Sequence, residues 1–447
     1  MATRPTVTTN RALQEAIQRD DVNHLIHPYT AIQRRPDEAL IFKHGSGITL
    51  VDIDGEPWLD AAAGQLNVNI GYGRPELAEV AAEAMRELSY ASLFFGCGSS
   101  QAAQLAAKLA SITQAGIDRF FFTVGGSDAT DTSIKLLRYY HAINGLPNKV
   151  HIIGRMQSYH GMSLGAWSLT GDQELWNNFG PRVPGFSHIQ QPSDSSGAEA
   201  LEKEIIRVGP ENVAAFFAEP ISMPARVNIP PDDYWPAVRE ICDRYDVLLV
   251  ADEVVTGFGR TGRMFAMEHW GVVPDLVQMS KGLTGGYAAL GAVGISDRVA
   301  DGLRIGGEFF HGFTWAGQPS SCALALANIG ILEEERLVER AEMQGKYFLA
   351  RLEELVERTE TFTQARGLGL LLALDVSPAV TPANRAALYR RLRELRLLIR
   401  PYDDGLTIGF APSLAVTEAE IDEIVSRVEQ AASSIQSADI PAVITSD

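Results

Sequence analysis

The 447-residue chain is 46% hydrophobic and 21% charged, enough apolar content for a large core and too long for one compact domain. Its formal net charge of −18, from 38 basic against 56 acidic residues, argues against nucleic acid or an anionic membrane surface as the main partner. Three cysteines, Cys97, Cys242 and Cys322, form neither a CxxC pair nor a ligand-spaced cluster with histidine, so no disulfide framework or structural zinc site is expected and a reducing cytoplasm fits.

The opening stretch "MATRPTVTTNRALQEAIQRDD" has no apolar signal region, and no apolar run reaches the roughly 18 residues of a membrane span. Residues 48–64, "ITLVDIDGEPWLDAAAG", predict a hairpin leading into a helix. Buried strands are then predicted at 119–124, 150–154, 214–220, 247–253, 275–281 and 291–296, with amphipathic helices such as 127–143 and 233–246 between them. That alternation indicates an α/β domain with a mainly parallel sheet. After residue 330 come helical stretches rich in i,i+4 charges, then apolar runs at 367–376, 395–402 and 406–410. A last helix opens where Thr417 and Glu420 form a capping-box pattern. The predicted division is an N-terminal segment 1–60 joining the small domain, a large domain 61–330 and a small α+β domain 331–447. The final residues, "SADIPAVITSD", read as a loosely held tail.

Ligands of open α/β sheets gather at the carboxyl ends of the strands, and three motifs fall there. In "TVGGSDATDTSIK" (123–135) a strand runs through glycines into a helix opening at Ser127. Gly126 and Ser127 would offer backbone N–H groups to a phosphate; the alternative is a tight turn with a serine N-cap. In "VADEVVTGFGRTG" (250–262), Asp252 and Glu253 end an apolar strand. A buried carboxylate there serves as metal ligand, general base, counter-ion to a protonated ring nitrogen, or structural ion-pair partner. In "MSKGLTGG" (279–286), Lys281 follows an apolar run. Burial would depress its pKa and make it a nucleophile toward aldehydes; the alternative is a buried stem with a solvated head. Together, a Schiff-base lysine, a carboxylate for a pyridinium nitrogen and a phosphate cradle describe a pyridoxal 5'-phosphate site.

Over roughly residues 20–435 the chain resembles the class III (ω-type) PLP-dependent aminotransferases of fold type I, through "ADEVVTGFGRTG", "SKGLTGGY", "SYHG", "AEP" and "HGFTWAGQP" in order. The resemblance implies a seven-stranded, mainly parallel sheet between helices, plus the smaller α+β domain. It implies that Lys281 carries the cofactor and shuttles the proton, and that Asp252 pairs with the ring nitrogen. Val254 and Tyr159 would pack on the two ring faces, Gly126 and Ser127 would hold the phosphate, and Glu219 would order the Asp252 region. Thr314 would reach the phosphate of the neighbouring subunit's cofactor, making the active unit a homodimer or a dimer of dimers.

For the substrate, many relatives acting on α-carboxylates carry an arginine where "IGFAPSL" (408–414) has Gly409. Arg400 stands instead where amine:pyruvate transaminases have a mobile arginine that binds the acceptor's carboxylate, with an ion pair to Asp403 or Asp404 as the structural alternative. Phe94 or Phe95 would line the substrate, Leu66 would reshape a pocket where amine-active relatives often carry tryptophan, and Trp315 would narrow the entrance. The expectation is an aminotransferase moving an amino group from a primary amine or ω-amino acid to pyruvate by a ping-pong route. A dedicated β-alanine, taurine or 4-aminobutyrate enzyme is the same-fold alternative; a PLP-dependent aminomutase or decarboxylase and a non-catalytic PLP-fold binding protein are the others.

Overall fold

A strand that is apolar on every residue must be covered on both faces, and the central sheet meets that requirement. Residues 11–32, 35, 39–194, 196–402 and 404–436 are described by the computed structural model, so the predicted tail lies outside the described residues. The chain begins with helix Arg11–His24 and three short strands, β1 (Phe42–Ser46), β2 (Thr49–Asp52) and β3 (Pro57–Asp60). The central sheet uses β4 (Ile117–Thr123), β5 (His151–Arg155), β6 (Phe186–Ile189), β7 (Val213–Ala218), β8 (Leu248–Asp252), β9 (Leu276–Met279) and β10 (Gly291–Ser296). Their order is β4-β10-β9-β8-β7-β5-β6. β10 is antiparallel to both its neighbours, and the rest are parallel.

The six predicted strands are all present, within a seven-stranded sheet. β6 was not predicted: it is a four-residue edge strand, "FSHI", in which only Ile189 is buried. Alternation assigns the two faces of the sheet. Leu248 and Val250 of β8 join Ile134 and Leu137 of helix Gly126–Ile143, whereas Leu249 and Ala251 join Trp235 and Val238 of helix Tyr234–Arg244. Asp252 falls on the same parity as Leu248 and Val250, so it points toward the helix Gly126–Ile143.

The C-terminal part holds β11 (Phe362–Leu368), β12 (Leu371–Val376), β13 (Leu397–Leu398), β14 (Arg400–Pro401) and β15 (Thr407–Phe410). One sheet is β11-β12-β15-β14, antiparallel throughout. β13 leaves it and pairs parallel with β3, so the N-terminal strands and the C-terminal part share a sheet. Residue 331 lies within helix Pro319–Glu334. The capping box at the last helix forms: Thr417 N donates to Glu420 Oε2 at 2.8 Å, and Glu420 N donates to Thr417 Oγ1 at 3.3 Å. The predicted helix after the N-terminal hairpin is only the broken turn Ala63–Leu66, with non-helical Gly64 and Gln65. No helix among the described residues is long and apolar enough to cross a membrane.

Candidate active site

Four strand ends and one helix start converge. Asp252, the last residue of β8, is 4% exposed. Its Oδ1 accepts from Val254 N at 3.1 Å, and its Oδ2 lies 2.7 Å from His160 Nδ1. His160 is buried, sits edge-on against Phe217 at 4.8 Å between ring centroids, and its Nε2 has no hydrogen-bond partner. That nitrogen lies 3.9 Å from Glu219 Oε2. Glu219 in turn accepts from Tyr159 N at 3.0 Å and from Ser222 Oγ at 3.3 Å, with Arg155 Nη2 3.5 Å from its Oε2. A buried row Asp252–His160–Glu219–Arg155 therefore alternates carboxylates with an imidazole and a guanidinium, so each buried acid has a nitrogen group near it. Glu219 reaches Asp252 only through His160, a residue the sequence reading did not single out.

Glu253 turns away from this row. It accepts from Met267 N at 2.9 Å and from Thr256 Oγ1, and burial pushes its carboxyl up to about 7. Of the two carboxylates flagged at this strand end, only Asp252 faces the site.

Lys281 is not the inner end of a strand, as its setting suggested, but opens a 3-10 turn two residues after β9. It has a φ of 41°, a strained conformation for a lysine. Its ammonium makes no hydrogen bond or ion pair among the described residues. Burial lowers its pKa to about 8, opposed by Asp252 and reinforced by the positive charges of Arg400 and Arg260. Arg260 is itself fully buried, donating to Leu370 O and Asn69 Oδ1 at 3.0 Å each. Tyr159 is 39% exposed, and its hydroxyl is raised by burial and then by the neighbouring Tyr29.

The helix Gly126–Ile143 starts one residue earlier than predicted, after Gly125 in an extended conformation, so the serine N-cap alternative is overturned. Ser127 Oγ instead accepts from Met162 N at 3.1 Å. Gly126 packs on Val254: a Cβ on the glycine would lie 3.3 Å from Val254 Cγ1. Gly161, at φ 125°, lies so close that a Cβ would come 2.4 Å from Ser127 Oγ. The first N–H groups of a helix lack intrahelical acceptors, so this start offers donors to an anion.

Arg400 lies in β14 opposite Gly409 of β15. Its charge acts on both Lys281 and Tyr159. It has no ion pair among the described residues. Asp404, one of its expected partners, is paired with Arg226; the other, Asp403, lies outside the described residues. Leu66 is 5% exposed and packs with Ile221, Met223 and Val227, so it is wall rather than open surface.

Phe94, Phe95, Thr314 and Trp315 form a separate group. No hydrogen bond or ring contact joins them to Lys281, Asp252 or Tyr159 among the described residues. Tyr90 donates to Thr314 O at 3.0 Å and packs edge-on against Trp315. Phe94 lies against Gly312, where a Cβ would come 2.9 Å from its ring, and Phe95 is 99% exposed.

The donor set fits pyridoxal phosphate: an unpaired amine with a lowered pKa, a buried carboxylate held at one oxygen by an imidazole, and a helix start crowded by glycines. No group of three or more metal-ligating side chains occurs among the described residues. These features define a PLP-dependent transferase of fold type I. Residues 31–432 match the family described as aminotransferase class-III, and the chain belongs to that family. It is 38% identical to the putrescine–pyruvate aminotransferase of Pseudomonas aeruginosa, over 92% of this chain and 94% of that protein. The diaminobutyrate–2-oxoglutarate transaminase of Halomonas elongata is 36% identical, over 88% and 90%. The structure of an (S)-enantioselective omega-transaminase from Thermomicrobium roseum superposes with a TM-score of 0.90 at 39% identity, covering 94% of this chain and 98% of that one. The protein is an aminotransferase that uses pyridoxal phosphate.

Proposed function

We propose that this enzyme transfers an amino group from a neutral or ω-amino donor to pyruvate, giving a ketone or aldehyde and alanine. One observation carries the choice of acceptor: Arg400 acts on Lys281 and Tyr159 yet has no anionic partner among the described residues. A guanidinium without a partner beside the reacting amine is suited to a substrate carboxylate, which it can grip with two parallel hydrogen bonds. Pyruvate has one carboxylate. 2-Oxoglutarate has two, and the position opposite Arg400 is Gly409, while Arg226 is already paired with Asp404.

In this reading Lys281 holds the cofactor and afterwards, as a free amine, moves the proton at the substrate carbon. The cofactor supplies a ring that accepts the electron pair released there. Asp252 keeps positive charge on the ring nitrogen and is itself oriented by His160. Val254 and Tyr159 flank the ring, Gly126 and Ser127 hold the phosphate, and Glu219 fixes the Tyr159 backbone. Phe94, Phe95, Thr314 and Trp315 have no hydrogen bond or ring contact with Lys281, Asp252 or Tyr159 among the described residues, and in this reading Thr314 completes the site of a second subunit in a homodimer. We place the domain boundaries near residues 60 and 330, and the protein in the cytoplasm, where its free cysteines are stable.

The test is alanine formation from pyruvate by the holoenzyme with 1-phenylethylamine, a linear primary amine, β-alanine, taurine and ornithine. Turnover with the neutral amines is expected. Turnover with acidic donors alone would instead assign a dedicated ω-amino acid enzyme, and no alanine from any donor would remove pyruvate as the acceptor.

A further inference from the structure

The chain leaving β7 passes Glu219 and then folds back on itself. Ser222 N donates to Asn228 O at 3.1 Å, and Asn228 N donates to Ser222 O at 3.0 Å. Inside this loop, Arg226 and Val227 have φ values of 59° and 56°, uncommon for non-glycine residues and costly for a β-branched one. The loop is held there from outside. Arg366 donates to Arg226 O from Nε at 3.0 Å and from Nη2 at 2.6 Å, while pairing with Asp375. Val227 is fully buried.

This rigid loop grips the segment after Arg400 twice. Tyr402 donates its hydroxyl to Met223 O at 2.7 Å, and Arg226 pairs with Asp404. Asp404 also accepts from Leu406 N at 2.9 Å, which closes the turn. Asp404 is four residues from Arg400 and is a carboxylate, the same group that the substrate would bring. Without Arg226 it would be a partly exposed acid released from its ion pair, four residues along the chain from a guanidinium that has no ion pair among the described residues.

We propose that Arg226 is a positioning residue for the keto acid: by engaging Asp404 it keeps that carboxylate from capturing Arg400. The inference rests on the reading of Arg400 as carboxylate ligand. It makes the Arg226–Asp404 pair a determinant of acceptor affinity rather than of stability, since a partly exposed ion pair contributes little to folding.

The experiment follows the two half-reactions of the holoenzyme separately by stopped-flow absorbance, with 1-phenylethylamine as donor and pyruvate as acceptor. Propionate protection in thermal melts adds a readout independent of turnover. Arg226→Met should lower the second-order rate constant for pyruvate about fivefold, the order of a competing exposed ion pair, and leave that for the amine within about twofold. Propionate should protect it correspondingly less. Arg226→Lys should stay close to the parent. Arg226→Met combined with Asp404→Asn should recover pyruvate reactivity, because the competitor is gone; a merely structural role for Arg226 would not be rescued by removing its partner. Unchanged pyruvate reactivity in Arg226→Met, or no recovery in the double variant, would overturn the proposal. Arg400→Met separates the two readings: if it too leaves pyruvate unaffected, the carboxylate assignment itself fails, and if it alone loses pyruvate, only the role of Arg226 falls.

Discussion

Arg400 and Gly409 are direct partners across the antiparallel ladder of β14 and β15. The glycine is what gives the arginine its room. A Cβ at 409 would lie 3.1 Å from Arg400 Cβ and 2.9 Å from Met223 Cε. The methionine tip can yield, but the root of the arginine cannot move without its strand. A side chain at position 409 would therefore crowd the root of Arg400, which must give by a few tenths of an ångström to admit it.

Gly409→Ala tests that crowding with one methyl group. Overpacking of this kind costs about 1–3 kcal/mol, so the melting temperature should fall. The pyruvate KM should rise severalfold as the Arg400 stem is pushed aside, while the KM for a neutral amine stays near its parent value. Equal changes in both KM values would mean that Gly409 matters to the fold and not to the acceptor.

The sequence made the sheet legible because β7, β8, β9 and β10 are buried along their whole length, leaving apolar runs whose interiors are broken only by Gln278 of β9. β6 was invisible because an edge strand with one buried residue needs no such run. Asp252, Lys281 and Gly126 were legible for a related reason: a charge or a glycine at the end of an apolar strand has few structural uses. His160 was not, since its partner Asp252 is 92 residues away and nothing local marks the contact. Arg226 was likewise hidden, because its meaning depends on Asp404, 178 residues later. Spacing shows which residues sit at strand ends; it does not show which ends meet.

His160→Phe and His160→Ala separate two contributions of the imidazole. Either change leaves Asp252 Oδ2 buried without its donor, which costs about 1–3 kcal/mol. Phenylalanine keeps the edge-on packing against Phe217, an arrangement worth about 0.5–1.5 kcal/mol that alanine also loses. Urea denaturation of the cofactor-free proteins should rank parent above His160→Phe above His160→Ala. Pyridoxal phosphate affinity should fall in both variants alike, because it follows the orientation of Asp252. Unaltered affinity in His160→Phe would show that Asp252 needs no help from the imidazole.

Gly161→Ala should damage the proposed phosphate cradle more than Ser127→Ala does. The new Cβ would meet Ser127 Cα at 2.8 Å as well as its Oγ at 2.4 Å, on a backbone with φ of 125° that alanine rarely adopts. The start of the helix must then shift. Removing the serine hydroxyl takes away only the acceptor for Met162 N. Competition between pyridoxal phosphate and inorganic phosphate, followed by absorbance, reports the cradle directly. A smaller effect for Gly161→Ala than for Ser127→Ala would mean that the hydroxyl, not the helix start, holds the anion.

Lys281 has a consequence for stability that can be read without turnover. In the cofactor-free protein, burial lowers its pKa from an ordinary 10.5 to about 8. Between those values the unfolded chain holds a proton that the folded chain has released, so folding stability rises with pH across that window. Below about 8 both states are protonated, and the folded protein bears the full cost of a poorly solvated ammonium. Lys281→Met removes the charge and keeps a long apolar side chain. The variant should therefore be more stable than the cofactor-free parent at pH 7, with the difference constant below about pH 8 and shrinking from there toward pH 10. Comparing the two proteins cancels the other groups that titrate in the range, Glu253 and the tyrosines among them. Melting curves of both apo-proteins at closely spaced pH values decide it. A difference that stays flat between pH 8 and 10 would give Lys281 an ordinary pKa and remove the physical reason for its reactivity toward an aldehyde.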